Sequence, residues 1–119
     1  MFKAVIREIV EKTDGGIAGL LMDTGGTPVD SFAVSDAPFD IGTIGAELSV
    51  VLKQITTASE MLEAGAAQEV SVNTEKMITV IRAINKEYYL ALTMHPSGNI
   101  GKGRFLMRTA APKLLAELT

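Results

Sequence analysis

Apolar positions at the start of the chain recur with a helical period. Phe2, Val5, Ile6, Ile9 and Val10 share one face, and the i,i+4 pairs Arg7–Glu11 and Glu8–Lys12 occupy the other. Asp14-Gly15-Gly16 stops this helix. The period then changes. Ile17 to Asp23 is apolar on both parities, Thr24-Gly25-Gly26-Thr27 is a turn signal, and Pro28 to Val34 reads as a second strand. Its Pro and Asp30 place that strand at a sheet edge, and the two segments form a hairpin.

After a loop at Asp36–Asp40, a long helix is expected from Ile41 to Ala64. One apolar stripe runs through Ile41, Ile44, Leu48, Val51, Leu52, Ile55, Ala58 and Leu62, and a smaller one through Ala46, Val50, Thr57 and Met61. Three strands follow, at Glu69–Thr74, Lys76–Ile84 and Tyr88–His95, with Asn85-Lys86-Glu87 as the turn of the last hairpin. Asn99 is a good N-cap for a final helix ending at Leu118. Pro112 lies inside it and is expected to kink it near Arg108.

Strands filled on both parities belong to a sheet buried on both faces. Short connections make that sheet antiparallel. The fold class is therefore α/β (α+β), a three-layer sandwich in one domain over residues 1–119. Its five-stranded antiparallel sheet has the middle helix on one face and the N- and C-terminal helices on the other. A surface helix normally shows one apolar stripe of a little over 100°. The middle helix is weakly polar over far more than that, with only Glu47, Lys53, Glu60 and Glu63 charged. Because the other two helices are needed on the opposite face, a second chain is the better cover. The strand Glu69–Thr74, if at an edge, invites pairing with a partner strand.

Composition adds exclusions. Within 119 residues there is no Cys, so disulfides and thiolate metal sites are excluded, in keeping with a reducing cytoplasm. A net charge of −3 gives no electrostatic reason to expect nucleic acid or an anionic membrane. The N-terminus carries charge too early for a signal peptide, and no apolar run reaches the roughly 18 residues of a membrane span.

Candidate chemistry is sparse. Gly98-Asn99-Ile100-Gly101-Lys102-Gly103 sits between a strand and a helix, where a phosphate loop would sit. The Walker pattern needs Gly at Pro96 and Ser or Thr at Gly103, and a dinucleotide loop starting at Gly101 needs Gly or Ala at Leu106; all fail. A helix cap with close packing is the better reading. His95, the sole histidine, reads as a strand-end surface residue. Asp23, Asp30, Asp36 and Asp40 lack the spacing of a calcium loop. Arg82, Arg104 and Arg108 lie in a strand and a helix, not in the mobile loop that an inserted arginine needs. No catalytic residue, cofactor or metal is expected.

At this point the chain resembles the Roadblock family, which includes the dynein light-chain Roadblock and its bacterial relative MglB. The resemblance rests on Ile17-Ala18-Gly19-Leu20-Leu21-Met22-Asp23 with Gly25-Gly26, and on the Ala/Leu/Ile-rich middle helix. Met77-Ile78-Thr79-Val80-Ile81 and Asn99-Ile100-Gly101 followed by Arg104 and Arg108 complete it. Pro112 and the bulky Phe105 and Met107 depart from the family pattern in the last helix. The resemblance implies a dimer whose third strands pair across a two-fold axis and whose middle helices lie side by side. For a homodimer, the interface would hold Val50, Ile55, Ala58, Val70, Val72 and Thr74. It also implies a partner, a small Ras-like GTPase. MglB-like members stimulate GTP hydrolysis by docking on the switch regions without inserting an arginine. Glu47, Lys53, Gln54, Thr57 and Met61 are the docking candidates. A Roadblock-type scaffold with no effect on hydrolysis is the alternative. A ligand sensor is a third class, but it requires a polar-lined cavity that the filled strands argue against.

Overall fold

The computed structural model describes residues 1–119. The element order is α1 (Phe2–Lys12), β1 (Gly16–Asp23), β2 (Pro28–Ala33), α2 (Ile41–Met61), β3 (Glu69–Asn73), β4 (Ile78–Ala83), β5 (Tyr88–Met94) and α3 (Ile100–Leu118). One sheet holds all five strands in the order β2-β1-β5-β4-β3, and every neighbouring pair is antiparallel. The two most apolar strands, β1 and β5, lie at its centre, where both faces are covered. α2 carries the chain across one face, from the β2 edge to the β3 edge.

Strand alternation sorts the core into two layers. On one side Leu21, Val80, Leu90 and Leu92 meet Ile6, Ile9 and Val10 of α1 and Met107, Ala110 and Leu114 of α3. On the other side Ile17, Leu20, Met22, Ile81 and Ala91 meet Ile41 and Leu52 of α2. The three layers expected from the sequence are therefore present.

Several local readings hold in detail. Lys12 donates to Glu8 at 2.8 Å and Arg7 to Glu11 at 3.1 Å. The Lys12 hydrogen bond and charge hold the Glu8 carboxyl below its usual range. Asn99 caps α3 by accepting from the Lys102 N–H, and Asp40 caps α2 by accepting from Gly42. Asn85 shapes the β4–β5 turn by accepting from Glu87 and Tyr88.

One helix boundary needs correction. α2 stops at Met61, three residues before Ala64. There the Ala64 N–H donates to Ser59 and the Glu63 N–H to Glu60, while Glu63 turns left-handed at φ +58°. That is the hydrogen-bond pattern of a Schellman stop, with Glu in the place where Gly is usual. At the other end of the chain, α3 runs as one helix through Pro112. The proline removes the donor for the Arg108 carbonyl, but both residues lie on the exposed side, where water can replace the lost partner.

Candidate interaction faces

The two sheet edges differ. β2 is blunted by Pro28 and by α1 side chains. Lys3 Nζ lies 3.3 Å from Asp30 and donates to the Ser31 carbonyl at 2.7 Å, and the Arg7 guanidinium sits 5.6 Å from the centre of the Phe32 ring. β3 has no proline, no lysine and no covering helix, and four of its five residues are exposed. Its register with β4 places Val70 opposite Ile81 and Val72 opposite Thr79, so both valines lie on the α2 side of the sheet. Val72 is 41% exposed there. Val70 is half-buried against the α2-side core. Thr74 follows the strand, and its hydroxyl donates to the Met77 carbonyl.

α2 faces the core with Ile41, Gly45, Ser49 and Leu52. Gly26, in the β1–β2 turn, helps to seat it. That glycine has φ +86°, and a Cβ there would lie 2.7 Å from Ala46 Cα, so only Gly permits this approach of turn to helix. The opposite face of α2 carries a line of Val50, Gln54, Thr57 and Met61 at helical spacing, with Glu47 and Lys53 on its flanks. Val50 is 52% exposed, Met61 80% and the adjoining Leu62 79%. Ala58 is exposed beside this line, whereas Ile55 is half-buried against its own subunit. The five expected docking residues and Val50 and Ala58 thus share one open surface. Val70, Val72 and Thr74 lie on the separate β3 edge.

The residues weighed for chemistry are occupied structurally. Asp23 Oδ1 accepts from the Gly25 and Thr27 N–H groups and shapes the β1–β2 turn. A Cβ on Gly98 would run into the Asp14 backbone carbonyl, so that glycine serves close packing and leaves no cradle for a phosphate. His95 is exposed, and its backbone N–H donates to the Gly15 carbonyl. Its side chain lines an open cleft of about 600 Å³ with Phe39, Met77 and Pro96. A second cleft, of about 450 Å³, lies beside Arg82, Asn85, Lys86 and Tyr89.

One feature went unread in the sequence. Glu69, the first residue of β3, is held by two arginines. Arg104 Nε of α3 lies 3.1 Å from its carboxylate and Arg82 Nη1 of β4 3.7 Å, and Arg104 also reaches Ser71 Oγ at 3.4 Å. The cross-strand pairing of Glu69 with Arg82 could have been found by aligning β3 on β4. The link from α3 could not, because it depends on how the last helix crosses the sheet.

No family model matches the chain, and no curated protein does. Solved structures do. A Roadblock/LC7 domain from Streptomyces avermitilis superposes with a TM-score of 0.79 at 13% identity, over 95% of this chain and 97% of that one. An MglB structure with a tetrameric arrangement superposes at 0.85 with 20% identity, over 93% and 82%. These two likenesses show the fold alone. MglC from Myxococcus xanthus is 37% identical over 96% of both chains, with a TM-score of 0.69. The chain belongs to the Roadblock family. Within that Roadblock fold, the α2 face and the β3 edge are two surfaces that the chain leaves uncovered. No helix of this Roadblock protein is long and apolar enough to cross a membrane.

Proposed function

We propose that this protein is a homodimeric, non-enzymatic regulator of a small Ras-like GTPase, working in the cytoplasm. The observation that carries the proposal is the pairing of an uncovered α2 face with an unblunted β3 edge in one subunit. Val70, Val72 and Thr74 would join β3 to its copy, and Val50, Ile55 and Ala58 would pack the two α2 helices together. Burial of a half-exposed valine contributes about 1 kcal/mol, so several such positions, doubled by symmetry, are enough to favour a dimer. The family membership and the tetrameric arrangement of the MglB neighbour support self-association.

Glu47, Lys53, Gln54, Thr57 and Met61 form the docking surface for the switch regions of the GTPase. No arginine lies on α2, Arg82 and Arg104 are tied to Glu69, and Arg7 and Arg108 belong to α1 and α3, in the layer across the sheet from α2. Any acceleration of hydrolysis must therefore come from rearranging the GTPase's own residues. The protein can act as a regulator only if it binds the GTP state and the GDP state with different affinity. The same lack of an insertable arginine also suits a scaffold that leaves hydrolysis unchanged.

Two measurements test the proposal. A pulldown with a small GTPase of the same genome, loaded with GDP or with a GTP analogue, should retain the GTP form preferentially. Equal retention, or none, overturns the regulator. Single-turnover GTP hydrolysis with and without the protein then separates a stimulator from a scaffold.

A further inference from the structure

The two helical layers carry opposite charge. α2 and its flanking loops, residues 36–63, hold five carboxylates against Lys53 alone. α3, across the sheet, holds Lys102, Arg104, Arg108 and Lys113 against Glu117 alone, within a chain whose net charge is −3. Arg104 is committed to Glu69 and Ser71. Lys113 lies towards Glu8 of α1, whose carboxyl is already bonded to Lys12. The side chains of Lys102 and Arg108 are exposed and form no ion pair or hydrogen bond, nor does that of Lys113 at the flank beside α1. Between them, three residues from each, stands Phe105, an aromatic side chain 51% exposed to water. The rest of this outer face is neutral: Thr109, Pro112 and Ala116, all exposed.

We propose that the outer face of α3 is a second docking surface, for an acidic segment of a partner protein. Lys102 and Arg108 take carboxylates, Arg108 with the planar fork that suits them, and Phe105 covers an apolar side chain between the two. Charge complementarity names the occupant. The face is basic on an acidic protein, so it selects against another copy of the α3 face and attracts chains rich in Asp and Glu. An anionic membrane is the weaker match. Lipid surfaces call for clusters of about four to eight cations, whereas α3 has three free ones, one of them at the flank, beside its single apolar anchor. The site lies on the other side of the sheet from α2, so it stands or falls separately from the GTPase reading.

The experiment uses the full chain and three probes: a fluorescein-labelled peptide of Glu-Glu-Leu repeats, its Lys-Lys-Leu counterpart, and vesicles containing phosphatidylserine. The acidic peptide should bind, and more weakly as salt rises. The Lys102→Glu/Arg108→Glu double variant should bind it at least about tenfold more weakly. Phe105→Ser should also weaken it, and Glu60→Gln on the α2 side should leave it unchanged. The proposal is overturned if the acidic peptide does not bind or binds independently of salt, if the basic peptide binds equally, or if only the vesicles bind. Wild-type affinity in the double variant, or full affinity in Phe105→Ser, also overturns it.

Discussion

At the scale of single residues, Glu63 has the most consequence for how α2 presents itself. It occupies the left-handed position that closes the helix, at φ +58°. A side chain there costs roughly 1–2 kcal/mol against glycine, partly offset by the extra freedom glycine brings to the unfolded chain. Glu63→Gly is therefore expected to raise stability to denaturant by about 0.5–1 kcal/mol, without lengthening α2. A loss of stability in a denaturant titration would mean that the Glu63 side chain contributes something the strain argument lacks. The same residue explains why the helix end was not legible. Met61 and Leu62 continue the apolar pattern and Glu is a good helix former, so nothing before Gly65 signals a stop. The stop is a backbone event, fixed by the carbonyls of Ser59 and Glu60.

At the scale of elements, the central strands were readable because burial on both faces fills both parities, as in Ile17–Met22 and Leu90–Met94. The α3 cap was readable because Asn99 is a cap residue in front of an apolar run; Asp40 read as loop, and the structure shows it capping α2. The candidate site was only half readable. The open α2 face follows from Val50, Gln54, Thr57 and Met61 sharing a line. The fixing of β3 does not, because Glu69 and Arg104 are far apart in the chain. That clamp is testable. Glu69→Gln leaves two arginines without a counter-charge. Since all three groups are partly exposed, the global cost should be below about 1 kcal/mol. The local effect should be larger: amide hydrogen exchange in 69–73 should speed up relative to β1 and β5. Unchanged exchange in β3 would show that its pairing with β4 alone holds it in place.

At the scale of the whole molecule, the subunit is asymmetric in three ways. One sheet edge is blunted and the other open, one helical layer is double and the other single, and one layer is basic and the other acidic. The first two argue for self-association, and Val72→Asp is the cleaner probe of it. Ile55→Asp would also place a charge at a position that is half-buried before any partner joins, whereas Val72 is 41% exposed. A carboxylate buried at the proposed strand pair costs several kcal/mol, so self-association should weaken at least about 100-fold. Sedimentation at micromolar concentration reads this directly. An unchanged dimer would place the interface elsewhere.

The grip of Arg82 and Arg104 on Glu69 has a further consequence for how quickly another chain could join the open edge. An incoming strand usually meets a frayed margin that must first be straightened, at about 1 kcal/mol for each backbone residue fixed. Here the receiving ribbon is already held taut at its first residue by a helix on one side and by its neighbour strand along its length. The entropy of fixing that first residue has been surrendered in advance, during folding, and that end of the template waits in its final shape.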